Sequence, residues 1–144
     1  MSTTVMIVDD DGINLEIVKE ALVTNGYEAI CIQNPQNALE VAIKQSPDFI
    51  VLDVVMPEKN GIDLCRDFKL HPMTKDIPII LLTSSNENKH IIASLHLGCV
   101  EFLQKPLASQ ELIDVIFKHD IIHKIHDAMR PAKAVLEDLV KRYS

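Results

Sequence analysis

Five short apolar runs recur along the chain, and a helical pattern follows each of them. The runs cover residues 4–9, 27–32, 48–53, 78–83 and 100–104. Val and Ile dominate the first, third and fourth with little polar alternation, which predicts strands covered on both faces. After the first run, Ile13, Ile17, Leu22 and Val23 recur at roughly helical spacing, and Asn25-Gly26 supplies a stop. Pro35 opens a second helix whose inner face is Ala38, Leu39, Ala42 and Ile43. A third helix spans Gly61 to Leu70, and a fourth runs from about Glu87 to Leu97 and stops at Gly98. Ser109 is the expected N-cap of a fifth, with Glu111 in its first turn.

Strict strand–helix alternation implies right-handed crossovers and a three-layer α/β sandwich, a doubly wound sheet with helices on both faces. Two strand orders compete. In the order 2-1-3-4-5 the switch point lies between the first and third strands, and ligands bind at the carboxyl ends there. The dinucleotide-binding order wants a glycine-rich turn after the first strand. This chain has Asp9-Asp10-Asp11-Gly12 in that place, which would repel a pyrophosphate.

The polar residues that end the strands carry the chemistry. Asp9 and Asp10 follow the first, Asp53 ends the third, Thr83 ends the fourth and Lys105 follows the fifth. A parallel sheet gathers all of them at one rim. Two carboxylates about 4 Å apart repel by about 1 kcal/mol in water and about 4 kcal/mol at an effective dielectric of 20. Such a site must take up a proton, pair with Lys105 or bind a cation. An all-oxygen donor set with few protein ligands suits Mg²⁺, which keeps waters and accepts phosphate oxygens. A carboxylate placed there can act as a nucleophile towards phosphorus, in a reaction that needs chiefly positioning and charge stabilisation.

Asp9-Asp10-Asp11, Asp53 with Met56-Pro57 and Gly61, Leu82-Thr83-Ser84, and Phe102 with Lys105-Pro106 together resemble the receiver domain of two-component response regulators. The resemblance covers about residues 3 to 121. It implies a (βα)5 flavodoxin-like fold in which Asp53 accepts phosphoryl from a histidine kinase or histidine phosphotransfer protein. Asp10 would ligate Mg²⁺ directly and Asp9 largely through water, with Asp53 and the Val55 carbonyl completing the protein ligands. Thr83 would bond a phosphoryl oxygen, Lys105 would pair with the phosphoryl group, and Thr83 and Phe102 would form the switch. Phe102 lacks a hydroxyl, so that switch would rest on packing. The resemblance also implies a cis bond at Lys105–Pro106, which costs only about 0.5–1 kcal/mol before proline. Val55 and Ser85 flank the path of attacking water, and Val55 cannot orient it. Slow autodephosphorylation follows. Gly61 reads as a turn needing backbone freedom.

The last segment exceeds what a five-stranded domain needs. Val115, Ile122, Ile125, Met129, Ala132, Leu136, Leu139 and Tyr143 keep alternating three- and four-residue steps, broken only by Lys118. Residues 1–121 therefore read as the phosphoacceptor domain. Residues 122–144 read as a helical extension: a coiled-coil linker to an effector, a homodimer contact, or a plain helix packing back. Pro131 must kink that helix or open a second one. His119, His123 and His126 share nearly one face of it and read as solvated or seam-lining side chains rather than a metal site.

Length and charge narrow the function further. The chain has 144 residues, 47% of them hydrophobic, and a net charge of −7, which argues against direct nucleic-acid binding. Cys31, Cys65 and Cys99 are odd in number and apolar in context, so they read as buried reduced thiols of a cytoplasmic protein. No apolar run approaches membrane-spanning length. The leading expectation is a signalling phosphoacceptor that catalyses its own phosphorylation, not a turnover enzyme. A Mg²⁺-dependent aspartate-nucleophile phosphatase would want a second Asp two residues after the nucleophile, where Val55 stands. A non-phosphorylated receiver-like interaction module would have lost an acceptor or metal residue, and none is lost. An FMN carrier would need a neutral phosphate loop after the first strand.

Overall fold

The computed structural model describes residues 2–57, 59–83, 101–105 and 109–143. Its strands are β1 (Thr4–Val8), β2 (Glu28–Ile32), β3 (Phe49–Asp53), β4 (Ile79–Thr83) and β5 (Glu101–Gln104). All pair in parallel, in the order β2-β1-β3-β4-β5. β3 and β4 are buried at every position, as their unbroken apolar runs predict, while the edge strand β2 is largely open. This is the doubly wound flavodoxin-like order, with its switch point between β1 and β3.

Alternate strand residues divide the core. Met6, Val8, Ile50, Leu52, Ile79 and Leu81 pack with Ala38 and Ala42 of α2 (Ala38–Gln45) and with Leu64 and Phe68 of α3 (Gly61–Leu70). α1 (Gly12–Thr24) buries Leu15, Val18 and Leu22. Of the four residues whose spacing predicts this helix, Leu22 is buried, whereas Ile13, Ile17 and Val23 are exposed. Both sets recur at helical spacing, so periodicity alone leaves open which one turns inward. Gly26, at φ +87°, lets the chain leave α1 in a left-handed conformation.

Two further expectations change. Pro35 opens a short 3₁₀ turn, Pro35–Asn37, and α2 starts only after it. Cys31 is exposed because it lies on the edge strand, whereas Cys65 is buried. The predicted helix at 87–97, Cys99, Ser85 and the Lys105–Pro106 bond lie outside the described residues.

The chain forms two compact units, Met1–Ile113 and Asp114–Ser144. A single helix, Ser109–Tyr143, contributes to both and continues through Pro131. Ser109, expected as its cap, is already its first helical residue. Among the described residues no helix is long and apolar enough to cross a membrane.

Candidate functional site

The carboxyl ends of β1, β3 and β4 and the residue after β5 meet at one rim. The Asp9 amide donates to the Ile32 carbonyl at 3.1 Å, which extends the ladder past β1 and fixes Asp9 at the rim. Asp11 leaves the group: its carboxylate accepts from the Ile13 and Asn14 amides at 3.0 and 3.3 Å and caps α1. Two of the three consecutive acids therefore remain for chemistry. β3 ends in Asp53, and beyond it the Val54 amide donates to the Leu82 carbonyl at 2.8 Å. The Val55 amide donates to Asp53 Oδ1 at 3.3 Å.

One ligand oxygen from each of Asp9, Asp10 and Asp53 lies within 4.8 Å of the others. Asp9 and Asp53 are buried, and Asp10 is more open. The Lys105 amide donates to the Thr83 carbonyl at 2.7 Å, which holds Lys105 over the rim. Its Nζ lies 3.1 Å from Asp53 Oδ2 and 3.5 Å from Asp9 Oδ2. Burial raises the Asp53 carboxyl above its ordinary value, Lys105 opposes that shift and Asp9 adds to it. Lys105 loses charge stabilisation by burial but gains more from the two carboxylates, and its pKa is raised. Among the described residues, the site is a buried carboxylate beside one cation, with excess negative charge in reach.

The chain matches the family model of the response regulator receiver domain over residues 5–117. It belongs to that family. The phosphate regulon transcriptional regulatory protein PhoB of Pseudomonas aeruginosa is 38% identical over 110 residues, 76% of this chain and 48% of that protein. The response regulator MprA of Mycolicibacterium vanbaalenii is 34% identical over 113 residues, 78% of this chain and 48% of that protein. The chain thus spans about half the length of the curated relatives it matches. Among solved structures, a response regulator from Desulfuromonas acetoxidans superposes with a TM-score of 0.75 at 29% identity, covering 83% of this chain and 98% of its own. The chemotaxis response regulator CheY4 of Vibrio cholerae gives 0.76 at 25% identity, covering 82% and 98%.

Within this receiver fold, Asp9, Asp10, Asp53 and Lys105 come together as the strand ends predict. Thr83 is buried at the end of β4, next to the strand that carries Asp53. Phe102 sits on β5 opposite Leu81 and packs, partly buried, against the core. The Val55 side chain is exposed beside Asp53. His123 and His126 are exposed on the C-terminal helix, where His123 Nε2 lies 3.3 Å from Asp127. Two participants escape a reading of strand ends. Asn14, in the first turn of α1, donates its side-chain amide to Asp9 Oδ2 at 2.6 Å. Gln33, after β2, donates to the Asp10 carbonyl at 3.2 Å. The only sequence signal for Asn14 is a polar residue one helical turn past the acid pair.

Proposed function

We propose that Asp53 is the phosphoacceptor of this receiver domain, with a histidine kinase or a histidine phosphotransfer protein as donor. The observation that carries the reading is Lys105 Nζ at 3.1 Å from Asp53 Oδ2, inside a set of three carboxylates. An Asp53 oxygen attacks phosphorus, the P–N bond of the phosphohistidine breaks, and its electron pair stays on the imidazole nitrogen, which takes a proton. Lys105 then exchanges a carboxylate for a phosphoryl oxygen as its partner. Thr83, at the adjacent strand end, supplies a hydroxyl to another. An all-oxygen cluster of Asp9, Asp10 and Asp53 fits Mg²⁺, and the Val55 carbonyl would be a further ligand. When bound, Mg²⁺ offsets the negative charge that phosphoryl brings to the rim.

The switch would run through Thr83 and Phe102, on neighbouring strands β4 and β5. Inward movement of Phe102 would be held by packing alone, because its ring carries no hydroxyl. The output would lie in a partner protein or an effector domain beyond residues 1–121, and a cytoplasmic location suits that exchange. Direct nucleic-acid binding by this chain is disfavoured by its net charge of −7.

The test is incubation with Mg²⁺ and acetyl phosphate, read by intact mass. One phosphoryl adduct is expected in the wild type, none in Asp53→Asn and none when Mg²⁺ is chelated. An unmodified wild type would leave a receiver-like interaction module. Sustained hydrolysis of many phosphomonoesters would instead indicate a phosphatase.

A further inference from the structure

We propose that residues Ile121–Tyr143 of the C-terminal helix pair with the same segment of a second copy of this chain, side by side and in the same direction. Written as heptads, Ile122, Met129, Leu136 and Tyr143 take a positions, and Ile125, Ala132 and Leu139 take d positions. Ile122, Ile125, Met129, Leu136 and Leu139 are 42–62% exposed, so nothing among the described residues covers this stripe. A row of that length, free in water, is the kind of apolar surface that marks an association site.

Most of the ion pairs stand elsewhere, although Arg142, paired with Asp138, lies at a flanking g position. The ion pairs Lys124–Asp120, His123–Asp127 and Arg130–Asp127 all fall on b, c and f positions, the outward side of the helix. Pro131 is at a c position too, so its missing N–H turns away from the seam. Segregation of this kind makes the stripe complementary to itself, which is what a two-fold homodimer contact requires.

The flanks choose the direction. In a parallel pair each e position meets a g position of the second copy. His126 then faces Ile121, Lys133 faces Ala128 and Val140 faces Val135, with no like charges in contact. In an antiparallel pair with the same a and d layers, His126 faces Lys133 on both sides of the axis. Lys118 falls at a d position, where a parallel pair would set it against its own copy, so the seam begins after it.

The test uses the full chain and needs no phosphorylation, so its outcome is separate from that of the Asp53 assignment. Light scattering at tens of micromolar protein is expected to give the dimer mass for the wild type and for Lys141→Glu. Ile125→Asp and Leu136→Asp are each expected to halve it. In a Cys31→Ser background, Leu139→Cys is expected to cross-link to itself on mild oxidation, since parallel d positions sit side by side. A monomeric wild type would overturn the proposal, as would a dimer insensitive to both Asp substitutions. Cross-linking of Leu139→Cys only to Ile122→Cys would overturn the parallel arrangement.

Discussion

Gly61 stands so close to Asp53 that a β-carbon on it would lie 2.2 Å from the Asp53 main-chain oxygen and 2.8 Å from the Val54 α-carbon. The Gly61 amide donates to the Val54 carbonyl at 2.8 Å, and the Asn60 side chain caps α3 by accepting from Ile62 at 2.7 Å. The start of α3 is thereby pressed onto the strand end that carries Asp53. Glycine is required here for close approach, not for a left-handed backbone: Gly61 is not among the positive-φ residues.

Gly61→Ala must therefore push α3 and the end of β3 apart. A loss of about 1–3 kcal/mol is expected, the usual cost of overpacking. Urea denaturation of the folded variant checks it, and the acetyl phosphate reaction should slow because the Asp53–Lys105 spacing shifts. Stability and rate equal to wild type would show that the loop absorbs the methyl group.

The titration of Asp53 has a definite sign in the metal-free protein. Its folded pKa lies above the ordinary 3.8, chiefly through burial, so in the window above 3.8 the folded state holds more proton than the unfolded chain. The stability that this protonation contributes is complete below 3.8 and is lost as pH rises through the raised value. Lys105, raised above 10.5, contributes fully below 10.5 and loses that contribution as pH rises through its own folded value. Asp53→Asn is thus expected to be more stable than wild type at neutral pH without Mg²⁺, with the gap closing in acid. Carboxyl-carbon NMR should show the Asp53 pKa rising in Lys105→Met and falling in Asp9→Asn. Movement in the opposite direction in either variant would refute the charge assignment.

How far the strand ends alone lead is clear from particular residues. Asp9 and Asp10 follow, and Asp53 ends, a buried apolar run, while Lys105 follows the half-buried edge strand β5; parallel pairing leaves such residues no place but one rim. Periodicity worked less well where two stripes overlap: Ile13 and Ile17 share helical spacing with Leu15, Val18 and Leu22, yet only the latter face the core. Cys31 was hidden by its apolar neighbours, because a short run does not reveal that its strand is an edge. Gly61 was legible as a special position, but its reason is a contact across the fold. Asn14 was marked only as a polar residue one helical turn past the acid pair, since its role depends on a 2.6 Å contact to Asp9 across the β1–α1 turn.

Val55 is expected to govern the lifetime of a phosphoryl group on Asp53. Its side chain is exposed next to Asp53 and offers no group to orient an attacking water. Slow autodephosphorylation is expected, and Val55→Glu or Val55→Gln should accelerate it by at least about tenfold, below the roughly 10²–10⁴-fold range of a well-placed general base. Decay of the phosphorylated, Mg²⁺-loaded protein followed by intact mass measures both. A half-life of seconds in the wild type would contradict the expectation.

Asn14 is expected to set the affinity of the acidic rim for its cation. Asp9 accepts the Asp11 amide on Oδ1 at 3.0 Å, the Asn14 side chain on Oδ2 at 2.6 Å and Lys105 on Oδ2 at 3.5 Å. Those donors fix the direction in which its remaining lone pairs point. Groups that orient a metal ligand commonly contribute about 10–100-fold to metal affinity. Asn14→Leu keeps the helix and the side-chain volume but removes the amide, so Mg²⁺ affinity should fall by about tenfold at unchanged thermal stability of the metal-free protein. Calorimetric titration with Mg²⁺ reads the affinity directly, and Asn14→Gln should recover part of it. An affinity equal to wild type in Asn14→Leu would mean that the Asp11 amide and Lys105 alone hold Asp9 in place.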